Sequence, residues 1–186
     1  MDVDTITDSS HRSKILLTQL EDYEPFDERE RTSLELMRTL LLNSCEDDVF
    51  DRHLNQRHIT GSAFVLSDVG LLLHFHKKIP LWLQPGGHLD NNETPLEAAA
   101  RETREETGVE AEFVPEIFHV DVHDTPAGHV HYDVRFIGQA GETFLRPPSD
   151  ESQKVAWFSP DALNSITDPA LKGAIHKLVA GKFLGK

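Results

Sequence analysis

The stretch Gly87-His88-Leu89-Asp90-Asn91-Asn92-Glu93-Thr94-Pro95-Leu96-Glu97-Ala98-Ala99-Ala100-Arg101-Glu102-Thr103-Arg104-Glu105-Glu106-Thr107-Gly108-Val109 decides how the chain is read. Its second half predicts a helix with both ends marked. Thr94 suits the N-cap, Pro95 the first helical position, and Glu97 completes a T-x-x-E capping box. Gly108 suits the position just past the C-terminus. Leu96, Ala99, Ala100 and Thr103 form the expected inward stripe. Glu102, Glu105 and Glu106 lie three and four residues apart and project from one face, with Arg101 at i,i+4 from Glu105. Like charges at that spacing repel by roughly 0.2–0.5 kcal/mol per pair. A hard dication reverses the sign, because magnesium takes oxygen ligands and bridges carboxylates to phosphates. A solvated acidic face explains the same residues equally simply.

The flanking residues separate these readings. Gly87, Glu93, Arg101-Glu102, Glu105-Glu106 and Gly108-Val109 spell G-x5-E-x7-R-E-T-R-E-E-T-G-V. This resembles the signature of the Nudix hydrolases, G-x5-E-x7-R-E-U-x-E-E-x-G-U, with U a bulky aliphatic residue. Every charged and glycine position matches; Thr103 departs from the pattern, at a position that packs the helix inward. The resemblance implies an α+β fold, the family's α/β/α sandwich with a mixed sheet. It also implies hydrolysis of a diphosphate linkage by Mg2+-assisted attack of water, with Mn2+ as a substitute. Glu102, Glu105 and Glu106 would be metal ligands with the Gly86 carbonyl, and Glu102 and Glu105 belong to the catalytic set. Arg101 would orient a carboxylate, while Gly87 and Glu93 would support the metal shell. Glu151 sits where the family often places a further glutamate, as ligand or base; an exposed loop residue is the competing reading, and Asp150 a competing choice.

Outward from the motif, the first 55 residues read as a helical extension and 56–186 as the hydrolase domain. Ile15, Leu16, Leu20 and Tyr23 recur at helical spacing between about 10 and 23. Asp27 and Glu30 suggest a capping box for a helix ending near Asn43, with Leu34, Met37, Leu40 and Leu41 on one face. That stripe must pack on the domain or on a second copy, so a homodimer through these helices is one expectation. Strands are expected at 63–66, 71–76, about 112–123, 129–138 and 155–158, with helices near 159–161 and 168–180.

The segment Phe118 to Val134 alternates strictly on both sides of a turn. A loop at 124–128 pairs His123 with His129, Asp121 with His131 and His119 with Asp133. All six then share a face, and Phe118, Val120, Val122, Val130, Tyr132 and Val134 take the other. The polar face is exposed, lines the substrate cleft together with His88 and Arg135, or holds a transition metal, for which it has the ligand types. Trp82 is either core or a stacking surface. Arg146 is a candidate phosphate contact or a surface residue.

Composition bounds the partners. Of 186 residues, 18 are Lys or Arg and 32 are Asp or Glu, a formal net charge of −14. Such a surface repels nucleic-acid backbones and points to a small phosphorylated substrate met at a locally neutralised site. Cys45 is the only cysteine, which excludes an internal disulfide and a Cys-based zinc site. It also counts against a diphosphate isomerase needing a pocket thiol. The first ten residues are polar and acidic, unlike a signal peptide, and no apolar run approaches membrane-spanning length, so the cytoplasm is the expected location.

Overall fold

The computed structural model describes residues 9–43, 48–76, 80–145, 152–181 and 183. Arg146, Glu151 and Cys45 lie outside these. Two helices come first, α1 (Ser9–Gln19) and α2 (Glu28–Leu42), then strands β1 (Arg57–Ser67), β2 (Gly70–His76), β3 (Trp82–Leu83) and β4 (Gly86–His88). Helix α3 (Pro95–Thr107) carries the motif. Strands β5 (Ala111–Asp124), β6 (Val130–Ala140) and β7 (Ser152–Phe158) follow, then a 3-10 turn (Ala162–Ser165) and α4 (Pro169–Ala180). The strands form one mixed sheet in the order β3-β2-β1-β6-β5, with β4 also on β1 and β7 also on β2. β1 and β6 run parallel over ten pairs, from Arg57↔Val130 to Leu66↔Gln139.

Alternation along the strands builds a core on each face. Ile59, Ala63, Val65, Val120, Val134 and Phe136 pack with α3, with Leu16 of α1 and Leu20 just after it, and with Leu34, Met37 and Leu41 of α2. Phe64, Leu66, Leu71 and Leu73 pack with Leu171, Ala174, Ile175 and Leu178 of α4. The stripe of the N-terminal helices is therefore spent on the chain's own sheet. α2 also covers the outer edge of β5: Val120 N–H donates to Glu30 Oε1 (3.3 Å) and Val122 N–H to Ser33 Oγ (3.1 Å). An edge strand left with open N–H groups would template unwanted pairing.

Two local expectations change. Asp27 caps α2 by accepting from Glu30 N–H (2.8 Å), yet the Glu30 carboxylate does not return to Asp27. It accepts from Phe26 N–H instead and is buried against Lys177 and Tyr23. The hairpin register also moves. His123 pairs with His131, Asp121 with Asp133 and His119 with Arg135, because the loop is 125–129; Thr125 N–H donates to His129 O (2.8 Å). The shift is two residues, so face assignment survives it. A bulge at Ile117–His119 breaks the alternation. It sends Phe118 into the α4 core rather than beside Val120. Trp82 packs edge-on against Phe75 and Phe158, so it serves the core. Among the described residues no helix is long and apolar enough to cross a membrane.

Candidate active site

Local chemistry delimits α3 as its sequence predicts. Thr94 accepts from Glu97 N–H (3.2 Å), the Glu97 carboxylate accepts from Thr94 N–H (2.8 Å), and Gly108 is left-handed at φ 69°. The inward stripe is Ala98, Ala99, Thr103 and Thr107, with Leu96 and Ala100 only half-buried. Thr103, the departure from the family pattern, is fully buried, and its hydroxyl donates to Ala99 O (2.7 Å). The hydroxyl is satisfied inside its own helix, so a polar residue occupies an apolar slot without an orphaned donor.

Two glycines let the helix seat on the sheet. A Cβ on Gly61 of β1 would overlap the Pro95 carbonyl, and one on Gly87 of β4 would overlap the Glu102 carboxylate. Glu106 is buried; its Oε2 accepts from Gly86 N–H (3.0 Å) and lies 3.4 Å from His74 Nε2. Burial pushes the His74 imidazole down to about 4, so it faces Glu106 uncharged near neutral pH.

Arg101 organises the acidic face. Its guanidinium donates through Nε and Nη2 to both oxygens of Glu93 (2.9 Å each), through Nη1 to Glu102 (2.9 Å) and Glu105 (3.1 Å), and through Nη2 to His88 O (2.8 Å). One planar cation thus sets the angle of three carboxylates and ties them to β4. The hydrogen bonds to Glu93 and Glu102 hold Arg101 firmly protonated. Burial works against the Glu93 anion, but Arg101 outweighs it and keeps that carboxyl below its ordinary value. Glu102 lies against Gly87 and Glu106 against Gly86 of β4, while Glu105 stays half-exposed on Arg101; carboxylate oxygens are the donor type that Mg2+ and Mn2+ take. Glu102 also borders a depression of about 670 Å³ edged by Arg12, Arg52 and His88.

The polar face of the hairpin forms the wall of a cleft of about 440 Å³, which Gly86, Gly87, Gln84, His123, His131 and Arg135 help to line. This is within the range of small-molecule sites. The predicted residues divide here. Asp121, Asp133 and Arg135 are buried together, and Arg29 supplies the second cation that balances the two carboxylates: Arg135 Nε donates to Asp133 (2.7 Å) and Arg135 Nη2 lies 3.6 Å from Asp121. Thr60 and Ser62 also donate to Asp133 (3.0 and 2.8 Å), and His123 Nδ1 lies 2.9 Å from Asp121. Despite burial, which raises it, Asp121 is held far below the usual carboxylate range by His123, Arg135 and Arg29. His123 and His131 remain half-exposed on the cleft. His119 is buried behind them, and His129 belongs to the turn.

Several site residues escaped the sequence reading. Arg29 of α2 donates to Asp121 (2.9 Å) and lines the cleft, and Arg12 of α1 donates to Glu93 O (2.5 Å). A helical extension carries no local sign that its arginines return to a site about ninety residues on. His58 of β1 is buried beside His88 and His131, with ring centroids 5.1 and 5.0 Å away. Its alternation with Thr60 and Ser62 was the available signal; the expected strand began too late to include it.

The NUDIX domain family matches residues 56–179. The chain is 32% identical to an RNA pyrophosphohydrolase of Bartonella henselae over 148 residues, 67% of this chain and 86% of that one. It is 40% identical to the asymmetrical bis(5'-nucleosyl)-tetraphosphatase of Mus musculus over 72 residues, 39% of this chain and 46% of that protein. A NUDIX-family hydrolase structure from Clostridium perfringens superposes with a TM-score of 0.59 at 28% identity, covering 67% of this chain and 97% of the other. With the complete motif and the mixed sheet between helical layers, these matches establish that the chain belongs to the Nudix family.

Proposed function

We propose that the protein hydrolyses the diphosphate linkage of a nucleoside diphosphate derivative, such as a nucleotide sugar or nucleoside triphosphate, in the cytoplasm. The observation that carries this reading is the Arg101 fan, which holds Glu93, Glu102 and Glu105 together and ties them to the His88 carbonyl of β4. A sensing module without catalysis has no use for every motif carboxylate, and this chain retains all of them.

Glu102, Glu105 and Glu106, with the Gly86 carbonyl, would hold Mg2+ or Mn2+. The bound ion supplies charge neutralisation at the phosphates and a lowered pKa for water. The chain's own groups do the rest. Arg101 fixes the direction of the carboxylates, and a motif carboxylate accepts the proton of the attacking water. Glu151 is a further candidate for that role. The Gly87 hydrogen leaves room for Glu102 to lie flat against β4. His123, His131, His88 and Gln84 offer hydrogen bonds to the nucleoside side of the substrate, while Arg29 and Arg135 stand on the cleft wall with their charges matched by Asp121 and Asp133. Asp121 and Asp133 keep those cations in place. α1 and α2 thus complete the site from within one chain.

The test is a panel of nucleoside triphosphates, nucleotide sugars, ADP-ribose, dinucleoside polyphosphates and 5'-capped or triphosphorylated RNA, with Mg2+ and with Mn2+. The names of the relatives place the last two classes in it. We expect turnover of at least one class and a loss of 100-fold or more, ~3 kcal/mol of barrier, in Glu106→Gln and Glu102→Gln. A silent wild type, or variants as active as wild type, would remove the assignment.

A further inference from the structure

His88 and His131, placed above on the substrate side, also meet the buried His58 in a geometry that hydrogen bonding to a nucleoside does not require. His58 of β1, His131 of β6 and His88 of β4 come from three paired strands: His58 is in register with His131, and His88 pairs with Thr60, two residues along on the same face. The three rings stand 5.0–5.1 Å apart, centroid to centroid. One ring nitrogen from each lies within 4.8 Å of the other two.

His58 supplies the second, independent observation. It is 1% exposed, and its Nδ1 faces Asn55 O at 2.8 Å. A carbonyl can only accept, so Nδ1 carries the proton and Nε2 presents a lone pair. That Nε2 is buried and has no hydrogen-bond partner. Buried acceptors are ordinarily satisfied, and an orphan aimed into a group of ligands asks for an occupant. A backbone carbonyl on the far nitrogen is also how metal-binding imidazoles are commonly oriented.

We propose that His58, His88 and His131 bind one borderline transition-metal dication of the zinc class, at a site distinct from the carboxylate set on α3. Three imidazoles without a carboxylate favour such an ion over Mg2+, which wants oxygen. Zn–N bonds of about 2.0–2.1 Å at tetrahedral angles need the nitrogens about 3.4 Å apart, so from separations within 4.8 Å the half-exposed rings of His88 and His131 close by up to about 1.4 Å. Arg52 Nη1 lies 2.9 Å from His88 Nδ1; this exposed side chain is the group an ion must displace if it takes that nitrogen. His129, 5.2 Å from His58 by ring centroid, and His123, 5.5 Å from His131, are the imidazoles at hand for a fourth position otherwise left to water.

The full-length protein, stripped by chelator, is equilibrated with Zn2+ against excess Mg2+ and bound zinc is counted by elemental analysis. Co2+ serves as the spectroscopic probe in parallel. We expect one Zn2+ per chain and the intense Co2+ absorption of four-coordinate nitrogen ligation. Affinity should fall at least ~100-fold in His88→Asn and His131→Asn, whose rings lie half-exposed rather than in the core. Glu102→Gln and Glu106→Gln should retain the zinc. No retained zinc in wild type, the weak spectrum of six oxygen ligands, or zinc lost with the glutamates and kept without the histidines would each overturn the proposal. The wild-type stoichiometry and spectrum decide even if a histidine variant misfolds.

Discussion

A methyl group added at Gly87 falls on the carboxylate of Glu102, whereas one added at Gly61 falls on the backbone carbonyl of Pro95. The two glycines look alike in sequence, but the obstacles differ in how far they can move. A carboxylate at the end of a flexible side chain swings away. A carbonyl in the first turn of α3 moves only with the helix. Gly87→Ala should therefore fold with near-normal stability but lose turnover by roughly 10–100-fold, since an ångström of misplacement at a reacting centre costs about that much. Gly61→Ala should lose stability by about 1–3 kcal/mol or more, the usual cost of overpacking. Thermal unfolding beside kcat separates the cases. A Gly87→Ala protein that is fully active would show that Glu102 need not lie where it does. The signature made Gly87 legible as a required position; only the pairing of β4 with β1 shows what it is required for.

At the scale of elements, α2 holds the extension to the domain through one buried carboxylate. Glu30 has no exposed side-chain surface and meets Lys177 Nζ of α4 at 3.0 Å, along with Tyr23 and the Val120 N–H of β5. Breaking a buried pair strands the remaining partners, typically at 3–5 kcal/mol. Glu30→Ala should cost about that much by urea unfolding, and Lys177→Met less, because Glu30 keeps three donors. A double-mutant cycle should show strong coupling, and a Glu30→Ala loss below about 1 kcal/mol would mean that α2 is held by its apolar stripe alone. This contact also marks where sequence reading stops. The helix, its cap and its stripe were all visible, because propensity and spacing are local. Glu30 read as a capping-box partner, since D-x-x-E has that local meaning; burial against residues ninety to a hundred and fifty positions away overrode it. The hairpin behaves the same way: its polar face was legible from period-2 alternation. Its register depended on one turn, and the bulge at Phe118 left no local trace.

Across the whole molecule, burial sets how stability responds to acid. His131 is pushed down to about 3, His74 and His88 to about 4, and His58 and His119 also below the ordinary imidazole value, with burial the largest cause in each. In the unfolded chain all five return to about 6.5. A depressed histidine contributes its full share of stability above that value. As pH falls below about 6.5 the unfolded chain takes up protons that the folded chain refuses, and stability declines until the folded value is reached. The carboxylates act later: Glu93, Asp121 and Asp133 are held below their ordinary values by their cationic partners, so their share is lost only below about pH 4. Each refused proton contributes a slope of about 1.36 kcal/mol per pH unit, less for the half-exposed rings of His88 and His131. The urea midpoint of the chelator-treated protein should therefore be level above about pH 7 and fall steeply between 6.5 and 4.5, before the carboxylates titrate. A midpoint unchanged from pH 7 to pH 5 would mean that these imidazoles are hydrated in solution. The cleft wall and the three-histidine group, both built on their burial, would then have to be redrawn.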